Sequence, residues 1–128
     1  MATARAQLSD YRQAPRKARL VATMVRGKRV EDALAQLDFL GKKAALPFSK
    51  LIRSAVANAK GLNLSEENLV VKEIRVDEGK IMYRRGSASR GRAPLLRKRT
   101  SHIQVLLEEK APKVKKAQKK AKTEVSEK

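Results

Sequence analysis

The stretch LVVKEIRVDEGKIMYRRGSASRGRAPLLRKRTSHIQVLL, residues 69–107 of a 128-residue chain, decides the fold. It begins and ends with segments rich in β-branched and aliphatic residues, Leu69 to Val76 and His102 to Leu107, which predict two strands. The 25 residues between them, 77–101, are too many for an ordinary structureless loop in a compact domain. We therefore predict that residues 77–101 prolong the two strands into a projecting β-hairpin arm with its tip near Ser89.

The arm is strongly basic. Between residues 80 and 99 there is no carboxylate, and the eight cations are Lys80, Arg84, Arg85, Arg90, Arg92, Arg97, Lys98 and Arg99. A folded core cannot hold this much unpaired charge, so the arm must lie in water or against a polyanion. Six of the eight are arginines, whose planar guanidinium groups match phosphate oxygens and stack on bases. The composition favours RNA as the partner, and a flexible surface loop is the plainer alternative.

Upstream of this stretch, apolar periodicity predicts three helices. The expected spans are Pro15 to Gly27, Val30 to Gly41 and about Lys42 to Lys60, the last stopped by Gly61. In the first helix the apolar stripe consists of Ala18, Val21, Ala22 and Val25. Three arginines, Arg16, Arg19 and Arg26, fall on the neighbouring arc of that helix, where they face either an acidic partner or solvent.

The net charge of +18 is unevenly spread along the chain. Residues 1–79 contain 15 basic and 9 acidic groups, whereas residues 110–128 contain eight lysines and two glutamates. We predict one domain over residues 1–109, including the arm at 77–101, followed by a disordered lysine-rich tail at 110–128. No apolar run approaches the length of a membrane span and no secretory segment follows Met1, so we expect a cytoplasmic protein without a membrane partner.

Several function classes are disfavoured by what the chain lacks. It has no cysteine and one histidine, His102, so a zinc cluster is not expected and we predict neither a metal nor a cofactor. With two Tyr, two Phe and no Trp it lacks the aromatic platforms on which single-strand binders stack bases. Recognition of a folded RNA by its shape and phosphate path is the mode this composition favours, with Tyr83 as the aromatic residue of the arm that is able to stack on a base.

Two other functions stay open at this level. A DNA-bending architectural protein could insert a basic β-arm into a minor groove, although such arms usually carry an apolar wedge and work as dimers. A nuclease could use Asp77, Glu78 and His102, but neighbouring carboxylates at a strand end point to opposite sides, which favours a turn or salt-bridge role. We therefore predict no enzyme activity and no catalytic residues.

Four strings carry a resemblance to a known family: APRKARLVATMVRGKRVEDAL, KKAALPFSKLIRSAVANA, VDEG and RGRAPLLRKRTSHI, which begin at Ala14, Lys42, Val76 and Arg90. Over about residues 10–109 the chain resembles the bacterial type of large-subunit ribosomal protein twenty-two. The resemblance implies an α+β fold with three helices packed on a small three-stranded antiparallel sheet and a long projecting β-hairpin. The third strand is expected near Arg5 to Leu8.

The resemblance also implies a structural role in the large ribosomal subunit. Its implied partners are large-subunit rRNA, neighbouring large-subunit ribosomal proteins and the nascent polypeptide, with the protein a monomer within the ribosome and its globular part near the tunnel exit. The resemblance and the charge pattern together predict a set of rRNA-binding residues: Arg12, Arg16, Lys17, Arg19, Arg26, Lys28, Lys80, Tyr83, Arg84, Arg85, Arg90, Arg92, Arg97, Lys98, Arg99 and His102. The arm tip that lines the nascent-peptide tunnel is expected to comprise Met82, Tyr83, Arg84, Gly86, Ser87, Ala88, Ser89, Arg90 and Gly91.

Two positions depart from the usual pattern of that family. Ser87 and Ala88 stand where a Pro-Arg pair is common, which alters the tip. Ala14 stands where a serine commonly precedes the proline, which removes a side-chain N-cap worth about 1 kcal/mol.

Overall fold

The computed structural model describes residues 2–110. In chain order its helices and strands are β1 (Thr3–Tyr11), α1 (Pro15–Val25), α2 (Val30–Phe39), α3 (Ala45–Gly61), β2 (Leu69–Glu78), β3 (Met82–Arg85), β4 (Leu95–Lys98) and β5 (Ser101–Glu109). Short 3-10 turns occur at Glu66–Asn68 and Ser89–Gly91. The predicted lysine-rich tail lies outside the described residues, apart from Lys110.

Three strands form the sheet of the body in the order β1-β5-β2, and both pairings are antiparallel. The strand expected near Arg5 to Leu8 is β1, which confirms that prediction. β5 is the central strand, and its alternate side chains Ile103, Val105 and Leu107 are buried on one face. The α+β class with three helices on a three-stranded antiparallel sheet is therefore confirmed.

The hydrophobic core lies between that sheet face and the helices. Phe48 and Ile52 of α3, Val25 of α1 and Ile74 of β2 are completely buried in it. Burying each such side chain stabilises the fold by about 1.5–3 kcal/mol relative to leaving it in water. The alanines of the predicted α1 stripe are also buried, so this helix packs closely on the sheet.

Helix ends follow the predicted signals with small shifts. Pro15 is the first residue of α1, and Gly27, two residues past its end, has the left-handed φ of 78° and donates its N–H to the carbonyl of Val71. α3 begins at Ala45, three residues later than predicted, because a turn precedes it in which the Ala45 N–H bonds to Lys42. Pro47 then falls in the first turn of α3, where its missing N–H costs nothing. Ala14, the N-cap residue of α1, provides no side-chain hydrogen bond, as its side chain predicts.

Candidate nucleic-acid interface

β3 and β4 form a separate two-stranded antiparallel ribbon that projects from the body as the arm. Beyond the ribbon, the chain ends stay paired through hydrogen bonds from Gly86 N–H to the Pro94 carbonyl and from Ala88 N–H to the Arg92 carbonyl. The 3-10 turn at Ser89–Gly91 forms the tip, as predicted from Ser89. The expectation that the arm directly prolongs β2 and β5 is wrong in one respect, because the pairing is interrupted between the body sheet and the ribbon.

Both faces of the ribbon mix cations with apolar side chains. Side chains in register lie on the same face, so Tyr83 and Arg97 share a face with Arg85 and Leu95. The opposite face carries Met82, Lys98, Arg84 and Leu96. Neither face is apolar throughout, so neither can pack on a hydrophobic core, and the arm has no such neighbour within residues 2–110.

The eight arm cations have exposed side chains, and none forms an ion pair with a carboxylate of residues 2–110. In the same part of the chain, the only side-chain hydrogen bond from these cations runs from Arg84 to the carbonyl of its neighbour Tyr83. The guanidinium and ammonium groups of the arm are therefore available to phosphate oxygens.

The tip of the arm is slim and contains backbone in the left-handed region. Arg90 has φ 59° and Gly91 has φ 68°. Only glycine adopts this region without strain, so Arg90 costs about 1 kcal/mol in backbone energy. The neighbouring side chains are those of Ser87, Ala88 and Ser89, which leave the tip narrow enough to enter a confined space.

The predicted body cations fall into two groups. Arg12, Arg16 and Lys17 are exposed and have no side-chain partner within residues 2–110, and Lys28 bonds to the side chain of Gln36. Arg19 and Arg26 instead bond to the sheet.

Arg19 and Arg26 close the free edge of β2. Arg19 donates from Nε and Nη2 to the carbonyl of Val76 at 3.2 and 3.1 Å, and Arg26 donates from Nη2 to the carbonyl of Ile74 at 2.8 Å. Unpaired carbonyls on an edge strand invite strand addition, and guanidinium donors occupy them here. Each guanidinium carries five N–H donors, so both arginines keep donors for a second partner.

The carboxylates of the nuclease alternative do not converge. Asp77 is the register partner of His102 in β5, whereas Glu78 is the partner of Ser101 and so lies on the other side of the sheet. The Nδ1 atom of His102 accepts a hydrogen bond of 3.1 Å from the Asp10 N–H, which occupies one ring nitrogen. Among the described residues no group of three His, Asp or Glu side chains is placed to hold a metal ion.

The place where the arm leaves the body contains a contact that no sequence pattern predicts. The Cβ of any other residue at Gly79 would lie 2.4 Å from the Thr100 Oγ1 atom, which is closer than real atoms approach. The glycine in VDEG and the threonine in RKRTSHI mark the contact in the sequence, but no local propensity relates two residues that are 21 positions apart.

A scan against known families matches residues 6–108 to the family described as ribosomal protein L22p/L17e. The chain is 47% identical over 111 residues to the large ribosomal subunit protein uL22 of Desulfitobacterium hafniense, covering 86% of this chain and 97% of that protein. It is 49% identical over 107 residues to uL22 of Bdellovibrio bacteriovorus, covering 83% and 97%, and 48% identical over 108 residues to uL22 of Geobacter sulfurreducens, covering 84% and 97%. No helix of residues 2–110 is long and apolar enough to cross a membrane. The matched segment includes the helices, most of the body sheet and the whole arm, and the chain therefore belongs to the ribosomal protein L22p/L17e family.

Proposed function

We propose that this chain is a structural constituent of the large ribosomal subunit in the cytoplasm, where it binds rRNA and neighbouring large-subunit proteins as a monomer and catalyses no reaction. Its family and the names of its relatives support this proposal. The observation that carries it is the arm, whose eight exposed cations have no carboxylate partner within residues 2–110. Surrounding rRNA supplies the missing negative charge.

The cations then have two tasks. Those of the arm, together with Tyr83 stacked on a base, neutralise the phosphates that enclose the ribbon. Those of the body bind phosphates around the domain: Arg12, Arg16, Lys17 and Lys28, with Arg19 and Arg26 using the N–H groups that the β2 edge leaves free. The Nε2 atom of His102, which has no hydrogen-bond partner among residues 2–110, is the remaining proposed contact to rRNA.

The tip lines the nascent-peptide tunnel in this proposal, and the globular part lies near the tunnel exit. The narrow tip with Ser87, Ala88 and Ser89 suits a channel wall, because it presents small polar and apolar surfaces rather than a binding pocket. Gly86, Arg90 and Gly91 belong to the same tip, and Met82, Tyr83 and Arg84 of β3 extend the proposed wall from the tip toward the body.

The binding of rRNA is tested by replacing Arg84, Arg85, Arg90 and Arg92 with Gln and titrating the protein against purified large-subunit rRNA at several salt concentrations. Each lost phosphate contact lowers the slope of log affinity against log salt by about 0.7–0.9, so the four together lower it by about 3. Replacement of the same four with Lys is the matched control, which keeps the slope and weakens binding only through loss of the planar fork. An unchanged slope in the Gln variant contradicts the proposal.

A DNA-bending role is the alternative from another class, and competition separates the two. Duplex DNA added to the rRNA complex is expected to displace the protein only at large excess. Equal competition by duplex DNA and large-subunit rRNA would favour the DNA-binding alternative.

The position of the tip is tested in assembled ribosomes. The chain contains no cysteine, so Ser87→Cys gives this protein a single thiol for a cross-linker, and ribosomes with the parent protein measure the background from other ribosomal thiols. We expect Ser87→Cys to cross-link short nascent chains, whereas the exposed Ser54→Cys on α3 does not. Cross-linking at Ser54→Cys alone would contradict a tunnel-lining tip.

A further inference from the structure

The segment between the body sheet and the ribbon contains a change of register. Glu78 pairs with Ser101 and the Gly79 N–H donates to the Thr100 carbonyl, but the next pair is Met82 with Lys98. Two residues on one strand, Lys80 and Ile81, are therefore opposed by a single residue on the other, Arg99. One extra residue on one strand bends a β-ladder and increases its twist, so this bulge gives the arm a direction different from that of the body sheet.

The bulge is held by a buried hydroxyl. Thr100 is 1% exposed, and its Oγ1 donates a hydrogen bond of 2.6 Å to the carbonyl of Lys80, the first residue of the bulge. Gly79 lies against the same oxygen, and its φ is not in the left-handed region. Glycine is required here by space rather than by backbone conformation, because a Cβ would displace the hydroxyl from its bond to Lys80.

The strands on the body side of the bulge are fixed from two directions. Arg19 of α1 holds the carbonyl of Val76, three residues before Gly79. His102, two residues after Thr100, accepts the Asp10 N–H from the end of β1. The bulge is thus the first point at which the arm departs from regular pairing, and among residues 2–110 the Thr100 side chain is the one that donates a hydrogen bond to it.

We propose that Gly79, Lys80 and Thr100 form a joint that sets the direction of the arm before rRNA binds, with Gly79 and Thr100 as positioning residues. The proposal rests on the function proposed above, in which the arm enters rRNA. A preset direction spares part of the ordering cost on binding, because the arm meets its RNA channel already aligned.

The joint is tested in the free protein by the distance between spin labels at Ser54→Cys on α3 and Ser87→Cys near the tip, both exposed. The parent protein is expected to give one narrow distance distribution. Thr100→Val removes the donor while keeping the shape, and Gly79→Ala pushes a methyl group into Oγ1, so both are expected to shift or broaden the distribution. Thr100→Ser keeps the hydroxyl and is expected to give the distance distribution of the parent protein.

Ser101→Ala is the matched control for folding. Ser101 is also buried, but its Oγ has no hydrogen-bond partner among the described residues. Removing that hydroxyl is expected to leave the distance distribution unchanged. The variant Gly79→Ala/Thr100→Ala is expected to perturb the arm less than the sum of the two single changes, because the collision with the hydroxyl at 2.4 Å is gone and only the contacts of 3.2 Å to His102 Nε2 and the Thr100 carbonyl carbon remain. Far-UV circular dichroism of each variant reports whether the body remains folded.

Binding to purified large-subunit rRNA completes the test. Thr100→Val is expected to weaken binding about 3- to 10-fold with an unchanged salt slope, because no phosphate contact is lost. The proposed joint would be overturned by a broad distance distribution in the parent protein. It would also be overturned if the distributions of Thr100→Val and Gly79→Ala both superimposed on that of the parent protein. If the distances behave as expected but the arm charges do not affect rRNA binding, the joint stands and the proposed function fails.

Discussion

The arm and helix α1 carry the same residue type in opposite situations. Arg19 and Arg26 of α1 bond to carbonyls of β2, whereas Arg85, Arg90 and the other arm arginines have no partner beyond a neighbouring carbonyl within residues 2–110. Their charges look alike in the sequence, but a helix beside an open sheet edge gives its arginines a structural task. The density of basic residues therefore indicates a polyanion partner, and the position of each residue in the fold decides how many of its donors are free.

The largest expected effect comes from removing the arm. Replacing residues 81–98 with Asn-Gly leaves Lys80 and Arg99 to close a short hairpin between β2 and β5. Because no arm side chain belongs to the hydrophobic core, we expect the free energy of unfolding to change by no more than about 1 kcal/mol. Affinity for large-subunit rRNA is expected to fall at least about 100-fold at low salt, as measured by filter binding. A body that no longer folds would show that the arm and the body are not separable.

Hydrogen exchange sharpens the same comparison without a mutation. In the free protein, arm amides from Lys80 to Arg99 are expected to exchange quickly, because the hydrogen bonds of a two-stranded ribbon open readily in water even while the joint keeps the mean direction of the arm. Amides of β5 in the body are expected to be protected to the level of global unfolding. After binding to rRNA the arm amides become protected, and mass spectrometry of peptides from the two regions measures the change. Equal protection of the arm amides in both states would contradict enclosure of the arm by RNA.

Paired substitutions test the two classes of arginine directly. Arg19→Met/Arg26→Met keeps the aliphatic stems and removes the donors to β2, so we expect a loss of about 2 kcal/mol in the free energy of unfolding by urea. Arg84→Met/Arg85→Met is the arm counterpart and is expected to change stability by less than about 0.5 kcal/mol. The arm pair instead lowers the salt slope of rRNA binding by about 1.5. An equal loss of stability in both double variants would contradict the distinction between arginines that stabilise the β2 edge and arginines that are free to bind RNA.

The smallest expected effect concerns the start of α1. Ala14 has the extended backbone of an N-cap residue but no side-chain oxygen. Ala14→Ser supplies that oxygen and is expected to raise the free energy of unfolding by about 0.5–1 kcal/mol. Because it adds no charge, the salt slope of rRNA binding stays constant. A change in slope would mean that the new cap alters the phosphate contacts of the neighbouring Arg16 and Lys17.

Much of the fold follows from local signals in the sequence. Periodic apolar residues located the three helices, and β-rich segments located the two strands beside the arm, because these patterns depend on neighbouring positions only. β1 lacks the β-branched residues that mark the other strands, because Arg5 and Gln7 alternate with small alanines. Only the family resemblance predicts this strand. The contact between Gly79 and Thr100 and the bonds from Arg19 and Arg26 to β2 depend on tertiary placement, which the periodicity of a single segment does not contain.

The central strand β5 separates the two ends of the body. The arm enters it at Ser101, and just past its other end the Lys110 N–H is tied to the carbonyl of Asn68 at 2.9 Å. Nine extended residues lie between these points, which is on the order of 30 Å. A fluorophore or affinity handle attached to the side chain of Lys110 therefore lies at the pole opposite the arm, so protein immobilised through that residue keeps the arm accessible for capturing rRNA from solution.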